Sequence, residues 1–218
     1  MNVLVIEDQT MVRELLVIAC QQILPSASVS TSANAVEALE ACRRSPPELI
    51  LLDLVLPGRD GLDLLKDLLI LAPKAKVIVL SSYIDEFTLH RVQDSGVNGL
   101  LDKNEQSVKV LAEAITAVLD GRRYISSSVQ QMWSFIRADP IAFDKILSER
   151  EQEVLRLVGA GLTNEKIAQQ LEISTLTARN HRLNIMGKLG LHSTPELIRY
   201  AMEKGFTRIP ERKTKSSR

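Results

Sequence analysis

The sequence predicts an α/β chain: a five-stranded, doubly wound parallel sheet followed by a small all-α domain of four helices. Three observations carry this. Five short apolar runs alternate with stretches of helical period across residues 1–121. The runs are rich in Val, Ile and Leu with no polar alternation, the pattern of strands covered on both faces. From Ser148 onward the strand pattern stops, and helix-starting signals recur instead.

Val3–Ile6 is the first strand, and Met11–Ile23 the helix after it. Ser28–Thr31 pairs with Ala33–Cys42, Leu49–Leu52 with Gly61–Leu71, Lys76–Leu80 with Asp85–Asp94, and Gly96–Leu101 with Gln106–Leu119. Gly121 ends the last of these helices. Residues 122–144 read as a partly ordered linker with one helix around Val129–Ile136. Ser148-Glu-Arg-Glu151 is a capping box, and its helix runs to Gly159-Ala-Gly161. Thr163 caps Asn164–Leu171, and Ser174 caps a helix running to about Leu189. Pro195 opens a fourth helix, Glu196–Lys204, closed by Gly205. Short breaks between these helices suit a helix-turn-helix module. The expected domains are therefore 1–121, the linker 122–144, the helical domain 145–208, and a basic tail 209–218 expected to be disordered.

Hydrophobic residues make up 45% of the chain, enough for packed cores. No apolar run has membrane-spanning length, and the N-terminus lacks a basic leader, so no membrane partner and a cytoplasmic location are expected. Cys20 and Cys42 sit inside helical patterns without metal-ligand spacing, and they read as buried structural thiols. The net charge of zero hides a split. Residues 1–121 hold 10 Lys and Arg against 17 Asp and Glu, a net of −7. Residues 122–218 hold 17 against 10, a net of +7. A basic second half suits a polyanionic partner.

In an open α/β sheet, ligands bind beyond the carboxyl ends of the strands. Glu7 and Asp8 follow the first strand, Asp53 the third, Ser81 the fourth and Lys103 the fifth. Crowded carboxylates repel unless a cation joins them, and hard oxygen ligands suit Mg²⁺. A carboxylate oxygen of Asp53 can attack phosphorus to form an acyl phosphate. Lys103 and a bound metal would then neutralise the phosphoryl oxygens, and Ser81 is expected to donate a hydrogen bond to them.

These residues lie in Val5-Ile-Glu-Asp8, Leu51-Leu-Asp-Leu-Val-Leu-Pro-Gly-Arg-Asp-Gly61, Val77-Ile-Val-Leu-Ser-Ser82 and Gly99-Leu-Leu-Asp-Lys103. Residues 2–120 thereby resemble the receiver domain of bacterial response regulators. The resemblance implies phosphorylation of Asp53 by a sensor histidine kinase, with Mg²⁺ held by Glu7, Asp8, Asp53 and the Val55 carbonyl. Three positions depart from the family. Leu100 stands where an aromatic ring usually reports phosphorylation, Ser81 replaces the commoner threonine, and Asn104 replaces a frequent proline. Tyr83, two residues beyond Ser81, is expected to shield the acyl phosphate from water.

The helix capped by Ser174 carries Arg179, Arg182 and Lys188 and no acidic residue. Its helical period groups Thr175, Leu176, Arg179, Asn180 and Leu183 on an outer face, with Ala178, Ile185 and Leu189 turned inward. Arg pairs with guanine and Asn with adenine in the major groove, while Thr163, Thr177 and helix N-termini suit phosphates. Leu147-Ser-Glu-Arg-Glu-Gln-Glu-Val-Leu155, Gly161-Leu-Thr-Asn-Glu-Lys-Ile-Ala168, Thr177-Ala-Arg-Asn-His181 and Lys188-Leu-Gly190 are similar to the LuxR-type helix-turn-helix of the NarL/FixJ family. The resemblance implies contacts to double-stranded DNA from Arg179 and Asn180 and a homodimer joined through Pro195–Lys204. The full candidate set is Thr163, Ser174, Thr175, Leu176, Thr177, Arg179, Asn180, Arg182 and Leu183. RNA polymerase is a further partner open to such a regulator. Leu176 and Leu183 replace polar or basic residues, so a shallow salt dependence is expected and Leu176 is free to touch a thymine methyl.

Other classes are weighed on single positions. A phosphatase using an aspartyl phosphate commonly places an acid/base Asp two residues after the nucleophile, where this chain has Val55. A flavin site calls for a Gly- or hydroxyl-rich loop after the first strand, where Glu7-Asp-Gln-Thr10 is acidic. The alternative kept open is a constitutive DNA-binding regulator with a vestigial receiver, toward which Leu100 points.

Overall fold

The computed structural model describes residues 1–82, 84–93, 95–105, 107–139 and 142–207. Tyr83 and the tail 209–218, on both of which the sequence carried an expectation, lie outside them. The chain divides into two compact units, Met1–Ile84 with Leu89–Phe135, and Asp85–Thr88 with the chain from Ile136 onward.

The first unit is a parallel sheet wrapped by helices. Its strands are β1 (Asn2–Ile6), β2 (Ser28–Ser32), β3 (Leu49–Asp53), β6 (Lys76–Ser81), β7 (Gly99–Asp102) and β8 (Tyr124–Ile125), in the order β2-β1-β3-β6-β7-β8. A short antiparallel pair, β4 (Val55–Leu56) and β5 (Arg59–Asp60), interrupts the chain after β3. The helices are α1 (Thr10–Ile23), α2 (Ala35–Arg44), α3 (Gly61–Leu71), α5 (Val108–Leu119) and most of α4 (Glu86–Gln93) and α6 (Ser127–Ala138), within which the division between units falls. Val3, Val5, Leu49, Leu51 and Ile78 form one core with Ala19 and Cys20 of α1 and Leu111, Ala114, Ile115 and Val118 of α5. Strand alternation sends the equally buried Leu4, Ile6, Ile50 and Leu52 to the opposite face.

Two features went beyond the sequence reading. The sheet has a sixth strand, β8, inside the stretch expected to be a linker. It pairs parallel to β7, with Gly99 opposite Tyr124 and Leu100 opposite Ile125. A two-residue strand has no period to read, and it forms here because β7 offers an open edge. The linker helix is also longer than expected, running over Ser127–Ala138.

Gly61 follows directly from a close approach. A Cβ there would lie 2.6 Å from both the Asp53 carbonyl oxygen and the Leu54 Cα. Only glycine lets α3 begin this near the end of β3, with the Gly61 N–H donating to the Leu54 carbonyl at 3.0 Å.

The second unit holds α7 (Phe143–Ile146), α8 (Glu149–Gly159), α9 (Asn164–Leu171), α10 (Thr175–Leu189) and α11 (Thr194–Glu203). The Ser148–Glu151 capping box is formed, and Thr163 and Ser174 cap α9 and α10. Ser193, rather than Pro195 alone, starts the last helix, its hydroxyl accepting from the Glu196 N–H. Phe143, Leu155, Ile167, Ala178, Ile185 and Leu197 form the core shared by α7–α11. The turn between α9 and α10 passes through Glu172 in the left-handed region at φ 54°. Cys20 and Cys42 are both free and buried, and burial pushes the Cys20 thiol up to about 11.

Candidate functional site

β3, β6 and β7 end on a polar residue and β1 is followed by one, because the sheet interior has room only for apolar side chains. Glu7 and Asp8 follow β1, Asp53 is the last residue of β3, Ser81 the last of β6, and Lys103 begins a 3₁₀ turn directly after β7. The parallel register sets these ends side by side, with Asp53 opposite Leu80 and Ser81 opposite Asp102. Glu7, Asp53 and Ser81 are buried. The Lys103 ammonium lies 2.5 Å from Glu7 Oε2 and 2.7 Å from Asp53 Oδ2. Carboxylate oxygens of Glu7, Asp8 and Asp53 fall within 4.8 Å of one another. That spacing and the all-oxygen donor set fit a hard divalent cation such as Mg²⁺. Burial pushes the Glu7 carboxyl up and the Asp53 charge adds to this, while the Lys103 ammonium opposes both.

The turns around the pocket are tied down by residues the sequence reading passed over. Arg13, one turn into α1, donates to the Glu7 carbonyl at 2.7 Å and the Asp8 carbonyl at 3.2 Å. An arginine so soon after an acidic pair was the available signal. Asp53 Oδ1 accepts from the Val55 N–H at 3.0 Å, which folds the chain back into the β4–β5 pair. Asp60 then caps α3 and meets Arg91 of α4 at 2.9 Å, and the same guanidinium reaches Asp63 at 2.9 Å. Burial alone would raise the Asp60 carboxyl, but Arg91 and two backbone N–H groups hold it below the ordinary range.

On the other side of the pocket, Leu100 is fully packed within β7. Its carbonyl accepts from the Ser126 N–H at 3.0 Å, and the Ser126 hydroxyl accepts from the Asp102 N–H at 3.4 Å. The residue before Lys103 is thus joined to the residue before α6. Asn104 joins the same turn to the next strand end, its amide donating to the Ser82 carbonyl at 3.2 Å.

In the second unit, Thr175, Leu176, Arg179, Asn180 and Leu183 are exposed on one face of α10, with Ala178 and Ile185 buried and Leu189 half-buried. Not every candidate is brought to that face with a free side chain. Arg182 donates to Asn164 Oδ1 and to Thr194 Oγ1, both at 2.9 Å, so its guanidinium clasps α9 and α11. Lys188 meets Glu151 Oε2 at 2.7 Å. The hydroxyls of Thr163 and Ser174 are occupied as caps, toward Lys166 N–H and Thr177 N–H. The Thr177 hydroxyl lies 2.7 Å from that of Ser174. Arg179 has no ion-pair partner among the described residues.

Glu151 gives a pH test of this domain. Its burial acts to raise the carboxyl, yet the Lys188 ammonium and the Ser148 N–H and hydroxyl hold it below 4.5. A depressed folded value contributes stability above the unfolded value that is lost as pH falls through the folded one. Thermal unfolding of the full chain is expected to show this acid loss in its second unit. Glu151→Gln removes it, and an unchanged acid profile in that variant would contradict the pairing.

Comparison with known proteins places both units. Residues 3–116 match the family model of the response regulator receiver domain, and residues 145–201 that of bacterial regulatory proteins of the luxR family. The oxygen regulatory protein NreC of Staphylococcus aureus is 35% identical over 185 residues, covering 81% of this chain and 85% of that protein. The chain is a response regulator of the NarL/FixJ family. It is accordingly a two-component, DNA-binding transcription regulator. Among solved structures, RcsB from Salmonella enterica serovar Typhimurium, bound to promoter P1flhDC with the phosphomimetic BeF₃⁻, matches this response regulator with a TM-score of 0.65. The two are 26% identical, over 93% of this chain and 98% of that one. A structure of two RcsB dimers bound to two parallel DNAs matches with a TM-score of 0.63 at 25% identity, over the same shares of each chain. Among the described residues of this response regulator, no helix is long and apolar enough to cross a membrane.

Proposed function

We propose that this response regulator accepts a phosphoryl group on Asp53 from a sensor histidine kinase, and that the added charge raises its affinity for double-stranded DNA. The observation that carries the reading is the Lys103 ammonium, held between Glu7 and Asp53 in a buried strand-end pocket. An oxygen of Asp53 attacks phosphorus as the bond from phosphorus to the donor's imidazole nitrogen breaks. Lys103 and the Ser81 hydroxyl steady the phosphoryl oxygens. Glu7, Asp8, Asp53 and the Val55 carbonyl would hold Mg²⁺, which when bound neutralises phosphoryl charge. Val55 offers no acid/base group two residues from Asp53, so the acyl phosphate persists rather than turning over. Incubation with acetyl phosphate and Mg²⁺ tests this through incorporation, sizing and DNA titration. Incorporation that is unaffected by the loss of Asp53 would overturn it.

The route outward runs along β7. Phosphorylation adds roughly −1.5 to −2 charge, so Lys103 turns from the Asp53 carboxylate to the phosphoryl oxygens. That pull reaches Asp102, whose N–H donates to Ser126, and so the start of α6. Leu100 need not rotate for this. Ser126→Ala is expected to keep phosphate incorporation and to lower the phosphate-dependent gain in DNA affinity about fivefold, the worth of one neutral hydrogen bond. An unchanged gain would remove Ser126 from the route.

DNA is met by the outer face of α10, with Arg179 and Asn180 at base edges, Thr175, Leu176 and Leu183 beside them, and the α9 and α10 N-termini toward phosphates. Thr163, Ser174 and Thr177 shape those N-termini, and Arg182 aligns the helices by its clasp. A homodimer through α11 would engage paired half-sites.

A further inference from the structure

The outer face of α10 is unusual for a helix that meets a polyanion. Of its three cations, Arg182 is engaged by Asn164 and Thr194, and Lys188 by Glu151. What remains outward is Arg179 with Asn180, framed by two leucines. Leu176 is 65% exposed and Leu183 54% exposed. They are seven residues apart, two turns, and so stand on the same stripe as Arg179 and Asn180. Neither is needed by the core, which α10 completes with Ala178 and Ile185. One turn beyond Leu183 the stripe reaches Gly187, where an added Cβ would meet nothing within 4 Å. A glycine inside a helix is disfavoured against alanine, and packing within the domain gives no reason for this one. The stripe is therefore low in profile and short of charge, with apolar groups at two fixed heights.

Resting on the reading of α10 as the DNA-contacting helix, we infer that Leu176 and Leu183 determine specificity by packing on thymine methyl groups. The thymine C5-methyl is the apolar group that base pairs present in the major groove. At a rise of 1.5 Å per residue, the two leucines are about 10 Å apart along the helix. With a base-pair rise of about 3.4 Å, that spans about three steps. The half-site recognised is one with thymines about three steps apart and a guanine between them for Arg179. Discrimination comes from methyl contacts as well as from hydrogen bonds, which fits a face where, among the described residues, Arg182 and Lys188 are engaged and Arg179 is not.

The test uses the full chain and a duplex recovered by selection from random DNA. A second duplex carries deoxyuridine in place of each thymine, which keeps base pairing and removes only the methyl groups. Wild type is expected to lose about fourfold in affinity for each methyl removed, the worth of one buried carbon. Leu176→Ala/Leu183→Ala is expected to bind the thymine duplex as weakly as wild type binds the deoxyuridine duplex, and to ignore the substitution. Both leucines are exposed, so a thermal unfolding curve like that of wild type confirms that the variant is folded. Arg179→Ala separates the two readings. If it weakens binding to both duplexes while wild type ignores the methyl groups, α10 meets DNA and the thymine inference is wrong. If neither Arg179→Ala nor the leucine variant changes DNA binding, the reading of α10 itself fails. If the leucine variant alters only self-association in sizing, the leucines serve a second copy of the chain and the inference is overturned.

Discussion

Asp53→Asn is expected to take up no phosphate from acetyl phosphate and Mg²⁺, and to bind DNA equally with and without the donor. The wild-type chain under the same conditions should gain about 5- to 150-fold in DNA affinity, the usual range of a coupling between two sites. Asparagine keeps the shape of the side chain and an oxygen able to accept from the Val55 N–H, so the turn after β3 survives. It loses the anionic oxygen that attacks phosphorus. Chelating Mg²⁺ from the wild type should halt incorporation as well, because Glu7 and Asp8 then face the incoming phosphoryl group with only Lys103 to offset them. Equal behaviour of variant and wild type in incorporation, sizing and DNA titration would favour the constitutive alternative, in which the receiver fold is retained without its switch.

Lys103→Met is expected to destabilise the receiver unit by about 3 kcal/mol in the absence of divalent cations. Removing one partner of a buried ion pair leaves the other charge without compensation, at a cost of about 3–5 kcal/mol. Here two carboxylates are left, since Glu7 is 0% and Asp53 2% exposed. The lower end applies because Glu7 can take up a proton. Its carboxyl is already pushed above 4.5 by burial and by Asp53, and Lys103 is the larger of the groups that oppose the rise, beside the Gln9 N–H. A carboxyl raised in the folded state destabilises at pH above its folded value and ceases to do so as pH falls toward 4.5. The variant should therefore regain stability on mild acidification, and also on adding Mg²⁺. Urea unfolding at neutral and mildly acidic pH, with and without Mg²⁺, measures both. A variant as stable as wild type and indifferent to Mg²⁺ would show that Lys103 neutralises nothing in the resting pocket.

Much of the acidic site was legible because parallel sheets impose a simple rule. Strands buried on both faces are apolar throughout, so the first polar residue after each run marks the sheet edge, and parallel direction puts all such edges together. Glu7, Asp53 and Ser81 are marked this way, and Asp8 and Lys103 are the next charged residues along the chain after Glu7 and Asp102. The helix starts at Ser148, Thr163 and Ser174 were equally readable, since capping is a contact between residues three apart. Contacts between distant residues were not. Arg182 and Lys188 looked like free cations on a basic helix, and their partners Asn164, Thr194 and Glu151 lie on other helices. The strand Tyr124–Ile125 is too short to carry a period, and Ser126 acts on a backbone group that no side-chain pattern announces.

The sequence alone, then, determined the architecture of two units, the position of Asp53 at a sheet edge and the face of α10 that turns outward, because each is set by periodicity and local capping. The tertiary structure decided which charges remain available. Lys103 is shared between Glu7 and Asp53, and Arg179 stays unpaired among the described residues while Arg182 and Lys188 do not. It also decided what lies beside β7, where β8 and Ser126 are held, since an open strand edge captures whatever segment folding brings beside it.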